Sequence, residues 1–286
     1  MRLCRFVPDR LGIVVGDAVH DISELRDELL TSKPSGELGD PLVRYLPELL
    51  ARIPDVLAKC KQVPLASVRL LSPVKSPTKL VAAPTNYRTH IAEMSADTTI
   101  KHAVRSHDIG EAGLFLKANS SMVGASEGIA LRFPERRNDH EVELAVVIGK
   151  TANKVAKADA LDYVAGYCIG LDITLRGPED RSFRKSIDSY SVLGPWFVTR
   201  DEIPDPDSLT IALSVNGTQR QNANTRDMIY SVGRLIEFGS SFYTLHPGDV
   251  IFTGTPHGVS PIRPGDVLCA ECERVGSMEV KVRAAD

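Results

Sequence analysis

The sequence has few of the features that would mark an unusual protein. Its five cysteines (Cys4, Cys60, Cys168, Cys269, Cys272) are scattered and odd in number. That excludes a disulfide-stapled secreted scaffold and points to reduced thiols in a cytoplasmic setting. Neither charge sign dominates, with 37 acidic against 34 basic residues and a formal net charge of −3. The basic surface with which nucleic-acid binders neutralise phosphates is therefore missing. No run approaches the ~20 apolar residues that span a bilayer, so no membrane partner is expected. Met1–Arg10 carries no apolar segment behind its charges, and no secretory leader is expected there. Neither a P-loop nor a serine-nucleophile elbow of the pattern G-x-S-x-G is expected, and no internal repeat is read. Aromatic residues make up only 6% of the chain.

What is present is 286 residues, 43% hydrophobic and 25% charged, with 21 Gly and 18 Pro. This is globular composition with many turns, suited to one large domain or two unequal ones. The start reads as two or three short strands turning at Pro8-Asp9 and Gly16-Asp17. Residues 23–60 show helical spacing through Leu25, Leu29, Leu42, Leu46 and Leu49. Ser72-Pro-Val-Lys-Ser-Pro77 reads as a linker, dividing a small α+β unit (1–72) from a β-rich unit (73–286). In the second unit Glu141–Ile148 and Tyr163–Thr174 read as strands running into a core. Asn216-Gly217 reads as a hairpin turn, Ala156–Leu161 as a short helix and Asp227–Phe242 as a longer one. Arg132, Arg136 and Arg137 read as a solvated turn. Cys269 and Cys272 are three apart on a strand and face opposite ways, with no second pair to complete a zinc site.

The chemistry concentrates in a few stretches. In a strand, Glu141 and Glu143 project to one face while Val142 points to the other. Two adjacent carboxylates repel unless a cation sits between them. A solvated strand edge would also accommodate them, but the apolar run that follows puts this pair at the mouth of a buried strand. Asp172 lies in a similarly apolar stretch, where a charge needs a partner or a metal, unless it caps the turn that follows. Oxygen-only ligands suit Mg²⁺, Mn²⁺ or Ca²⁺. On a helix, His90 and Glu93 are neighbours at i and i+3. A carboxylate beside an imidazole fixes its tautomer and suits it to act as a general base, although a surface His–Glu pair has the same spacing.

Together, Ala83-Pro-Thr-Asn-Tyr-Arg-Thr-His-Ile-Ala-Glu93, His140-Glu-Val-Glu-Leu-Ala-Val-Val-Ile-Gly-Lys150, Val192-Leu-Gly-Pro-Trp196 and Thr253-Gly-Thr-Pro-His-Gly-Val259 resemble the fumarylacetoacetate hydrolase superfamily in order and spacing. The resemblance covers roughly residues 73–286, and the first 72 residues fit the small variable domain of the bacterial branch. It implies an α+β, β-rich fold, a mixed β-sandwich roll around a divalent metal, usually in a homodimer. By the same resemblance Glu141, Glu143 and Asp172 match the metal carboxylates, and His90 and Glu93 match a dyad on a lid. Lys185 matches a lysine that stabilises enolate or carboxylate charge. Tyr87, Lys117, Arg176, Glu179 and Thr255 match further substrate contacts. Gly177 and Glu179 depart from the family pattern, and an anion at position 179 would repel a second substrate carboxylate. The long lid segment, 94–113, includes His102 and His107, expected as exposed loop histidines.

The activity implied is metal-dependent hydrolysis of a carbon–carbon bond in a small 2,4-dioxo acid such as an acylpyruvate. His90, oriented by Glu93, would activate water, and the departing enolate would be stabilised by the metal and Lys185. The same site would also serve a 2-oxo-acid decarboxylase or a 2-hydroxydienoate isomerase. A homologue that binds metal and ligand without turnover is the third reading.

Overall fold

A computed structural model describes residues 1–97 and 109–285; His102 and His107 lie outside them. A twelve-stranded sheet runs through the molecule. At its centre the antiparallel strands Val142–Ile148 and Val164–Asp172 pair with each other. Val250–Phe252 flanks the first and Ser191–Thr199 the second. Leu80–Ala82 and Phe115–Lys117 extend the sheet on the Val250–Phe252 side.

Burial accounts for the change of pattern in Glu141–Ile148. Val142, Leu144, Val146 and Ile148 pack into a core shared with the strand Thr210–Val215 and the helix Val232–Phe242. Ala145 and Val147 face a second core with Leu25, Leu29, Leu49 and Ile53, on the helices Ser23–Thr31 and Leu46–Leu57. A strand covered on both faces has no polar side and reads as continuously apolar.

The first strands belong to the same sheet. Arg2–Phe6 pairs with Ser191–Thr199 in the register Arg2↔Val198 and Leu3↔Phe197, and the strands Arg10–Val15, Ala18–Asp21 and Gln62–Pro64 follow outward. Two buried carboxylates pin residues 75–79, in and just after the expected linker. Asp40 accepts from the backbone N–H groups of Leu42 (2.9 Å), Val43 (3.2 Å), Lys75 (2.8 Å) and Ser76 (2.9 Å). Asp249 accepts from those of Thr78 (2.7 Å) and Lys79 (2.9 Å).

Two elements differ from the sequence reading. Lys157–Tyr163 is a 3-10 helix. The α-helix expected from Asp227 starts at Val232, where the Ser231 hydroxyl and the Asp207 carboxylate take its first N–H groups; Thr225–Asp227 forms a separate 3-10 turn. No helix of the described residues is long and apolar enough to cross a membrane.

Candidate metal centre

The antiparallel register brings the three carboxylates together. The Asp172 N–H donates to the Glu141 carbonyl at 2.9 Å, and Glu143 stands opposite Gly170 on the neighbouring strand. One oxygen from each of Glu141, Glu143 and Asp172 lies within 4.8 Å of the others, and all three residues are buried. At the outer separation of 4.8 Å, two such charges repel by roughly 3–4 kcal/mol at an effective dielectric constant near 20.

Cations offset part of this. The Lys185 ammonium bridges Glu141 Oε2 (2.7 Å) and Asp172 Oδ2 (2.6 Å). Lys117 pairs with Asp172 and donates to the Tyr190 carbonyl at 2.9 Å. Arg176 spans Asp139 (2.7 Å) and Glu141 (3.1 Å). Burial pushes the Glu141 carboxyl up, but Lys185 and Arg176 outweigh it and hold that group well below the usual carboxylate range. Glu143 has no ion pair among the described residues. It accepts the Gly254 N–H at 2.6 Å, and burial together with the Asp172 and Glu141 charges raises its pKa well above the ordinary value. Gly254 sits at φ 95°, where a side chain is strained, and a Cβ there would lie 2.7 Å from Asn86 Cβ. Three convergent carboxylates, one of them without a cation, fit a hard divalent ion in donor type and charge.

The dyad sits on the helix Arg88–Ala96. Just before it, the buried Asn86 amide donates to the carbonyls of Tyr230 (2.9 Å) and Thr253 (2.8 Å) and accepts the Tyr230 N–H (2.7 Å). His90 Nδ1 is 3.0 Å from Glu93 Oε2, and Glu93 Oε1 accepts the Gly258 N–H at 2.8 Å. Burial raises the Glu93 carboxyl, but His90, the Gly258 N–H and His257 together hold it below the usual value. An ionised Glu93 assigns the ring proton to Nδ1 and leaves Nε2 able to accept one. His90 also contributes to the depression of the Glu141 pKa, which puts dyad and carboxylates in one electrostatic neighbourhood. Tyr87 is buried, and burial and then the Glu143 charge push its hydroxyl pKa up.

Thr255 is held within the protein framework. Its hydroxyl donates to the Val142 carbonyl (2.9 Å) and accepts from Gln221 (2.8 Å). Glu179 forms a two-pronged pair with Arg136, both contacts at 2.8 Å, which holds its carboxyl at about 2. The anion expected at position 179 to repel a second substrate carboxylate is thus paired with Arg136. Arg137 likewise pairs with Asp139 and Asp97, and Arg132 with Asp188, so the basic cluster lies on the exposed turn expected for it, with each arginine ion-paired.

Gln221 escaped the sequence reading. Its strand, Thr218–Asn224, is polar except for Ala223, and Gln221 alone in it is buried. The amide oxygen accepts the Val142 N–H (3.1 Å) and contacts His140 Nδ1 (3.0 Å), while the NH₂ group donates to Thr255 and the Pro256 carbonyl (2.9 Å). Asp139 is a second omission, since its role emerges only where Arg137 and Arg176 meet it. Gly124-Ala-Ser-Glu-Gly128 does spell the G-x-S-x-G pattern that was not expected. The strand Ile129–Leu131, not a helix, follows it, and the exposed Ser126 hydroxyl accepts the Leu70 N–H at 2.8 Å, so no nucleophile elbow forms.

Known proteins are similar to this chain along nearly its whole length. The family model described as fumarylacetoacetate (FAA) hydrolase C-terminal matches residues 79–283. A maleylpyruvate hydrolase of Aquipseudomonas alcaligenes is 56% identical over 290 residues, covering 99% of this chain and 100% of that one. The crystal structure of maleylpyruvate hydrolase from Sphingobium sp. SYK-6, in complex with manganese(II) and pyruvate, superposes with a TM-score of 0.84 at 38% identity, covering 100% of both chains. A 5-carboxymethyl-2-hydroxymuconate delta-isomerase from Mycobacterium smegmatis superposes at 0.73 with 29% identity, covering 99% of this chain and 100% of that one. With its carboxylate cluster, its His–Glu dyad and a match across residues 79–283, the chain belongs to the fumarylacetoacetate hydrolase family.

Proposed function

We propose that this protein hydrolyses an acylpyruvate, with maleylpyruvate as its substrate, in a reaction that requires Mn²⁺ or Mg²⁺. The observation that carries the proposal is the pairing of the buried His90 with the half-buried Glu93 beside the three carboxylates, because water attack needs a base there and enolate chemistry alone does not. Likeness to two maleylpyruvate hydrolases over essentially the whole chain supports the choice of acyl group. A divalent cation held by Glu141, Glu143 and Asp172 would supply Lewis-acid polarisation of the 2-oxo and carboxylate oxygens.

The remaining steps belong to the chain. His90 Nε2 takes a proton from water as the water oxygen bonds to the acyl carbonyl carbon. Glu93 holds the ring in the required tautomer and stabilises the imidazolium that forms. The bond from that carbon to pyruvate C3 breaks, its electron pair enters the pyruvate enolate, and a proton returns to C3. Lys185 offers positive charge to the enolate. Arg176, Lys117 and Tyr87 shape the pocket, Thr255 fixes its floor, and Glu179 with Arg136 forms a neutral part of its rim. All of these residues fall in the 73–286 unit, and we read residues 1–72 as its buttress. The family resemblance carries the homodimer, which sedimentation would read as twice the 31.1 kDa chain mass.

The test is steady-state turnover of maleylpyruvate by Mn²⁺-loaded protein, wild type against His90→Ala. The reading expects loss of about 10²–10⁴-fold in kcat, the range of a general base. Full turnover by the variant would favour decarboxylation or tautomerisation. Stoichiometric metal without turnover on any 2-oxo acid would indicate a binding protein.

A further inference from the structure

The short helix Arg181–Lys185 presents more positive charge to the site than the carboxylates require. Arg181, Arg184 and Lys185 stand at i, i+3 and i+4, on one face of a turn. Lys185 is occupied by Glu141 and Asp172. Neither Arg181 nor Arg184 has a carboxylate partner among the described residues. The Arg184 guanidinium donates to the Leu175 carbonyl at 3.2 Å. Arg181 lies over the Phe115 ring, 5.5 Å from its centroid, and the Lys185 ammonium lies 5.5 Å from the same ring. Phe115 thus fixes Arg181 next to the lysine that touches the cluster. Burial lowers the pKa of both guanidiniums, and Arg184 is lowered further by Arg176. Both also feel the Glu141 and Asp172 charges, which places them beside the centre rather than on a remote surface.

The charge balance asks for an anion. Glu141, Glu143 and Asp172 bring three negative charges, whereas Lys117, Lys185 and a divalent cation would bring four positive ones. Arg176 is answered by Asp139, and Glu179 is answered by Arg136. Arg181 and Arg184 therefore add to a surplus, and half-buried guanidiniums without carboxylates suit planar, two-pronged recognition of an incoming one.

We propose that Arg181 and Arg184 bind the distal carboxylate of a dicarboxylic acylpyruvate and so select such substrates over acylpyruvates with an apolar acyl end. The inference rests on the acylpyruvate hydrolase reading and adds to it the residues that choose the acyl group.

The test compares kcat/KM for maleylpyruvate, which carries a distal carboxylate, with that for acetylpyruvate, which carries a methyl group there. Wild-type, Arg181→Gln, Arg184→Gln and the charge-keeping Arg181→Lys and Arg184→Lys proteins are measured with Mn²⁺. The maleylpyruvate to acetylpyruvate ratio should fall about 10–100-fold in each glutamine variant, the weight of a lost charge-assisted hydrogen bond, and be partly restored by lysine. Titration calorimetry supplies a readout apart from turnover. The glutamine variants should weaken maleate binding about 10-fold or more relative to pyruvate binding. An unchanged ratio in kinetics and calorimetry would overturn the proposal, and so would equal losses on both substrates in variants with native circular dichroism. Failure of wild-type protein to turn over either substrate would instead sink the hydrolase reading itself.

Discussion

Gln221 offers the sharpest test of how the centre is held. Substitution by Leu keeps the volume and removes both polar arms. The Val142 N–H, His140 Nδ1 and the Pro256 carbonyl then lose their contacts with Gln221 inside the protein. Thr255 keeps its bond to the Val142 carbonyl. A buried polar group stripped of its partner costs about 1–3 kcal/mol, so three of them, after some relaxation, give about 3–5 kcal/mol. That is a large share of the roughly 5–15 kcal/mol by which a domain is stable. Val142 lies between two proposed metal ligands, so the damage should also reach Mn²⁺ affinity. Urea unfolding of wild type and Gln221→Leu, followed by circular dichroism, measures the first effect, and calorimetry measures the second. A variant within about 1 kcal/mol of wild type, with unchanged Mn²⁺ affinity, would refute the reasoning.

Three further outcomes follow from the geometry. Glu143→Gln should cost more Mn²⁺ affinity than the about 10–100-fold that loss of an outer partner costs, read by titration calorimetry. In the wild type, the raised Glu143 pKa means that its carboxyl holds a proton above the pH at which ordinary carboxylates have lost theirs. Binding Mn²⁺ must displace that proton, so affinity should rise with pH until the raised pKa is passed; calorimetry in buffers of different ionisation heat should show release, and affinity independent of pH would contradict it. Asp40→Asn aims an NH₂ group at backbone donors, either those of Lys75 and Ser76 or those of the helix start, and should destabilise by about 2–4 kcal/mol in urea unfolding, with a change under about 0.5 kcal/mol counting against the linker account.

Much of the centre was legible because it follows local rules. Alternation put Glu141 and Glu143 on one face, the apolar run after them marked a buried strand, and helical spacing joined His90 to Glu93. Other features depend on pairings that no local pattern announces. Arg136 and Glu179 are 43 positions apart and meet only when the strands are in register. Gln221 hides in Thr218–Asn224, whose composition is that of an exposed hairpin. The first strand joins the central sheet across 196 positions, Arg2 to Val198, so a linker visible in composition was no guide to sheet continuity. Local sequence thus told which groups could do chemistry, while long-range register decided which of them are neutralised.

The central claim is that water, activated by His90, splits the bond between the acyl carbonyl carbon and pyruvate C3. Turnover of maleylpyruvate by the Mn²⁺-loaded protein in ¹⁸O-water, with mass spectrometry of the products, tests it most directly. The account predicts one solvent oxygen in the newly formed carboxylate of maleate, with pyruvate released alongside. Carbon dioxide release, or an isomer of the substrate's mass without solvent oxygen in a carboxylate, would contradict it.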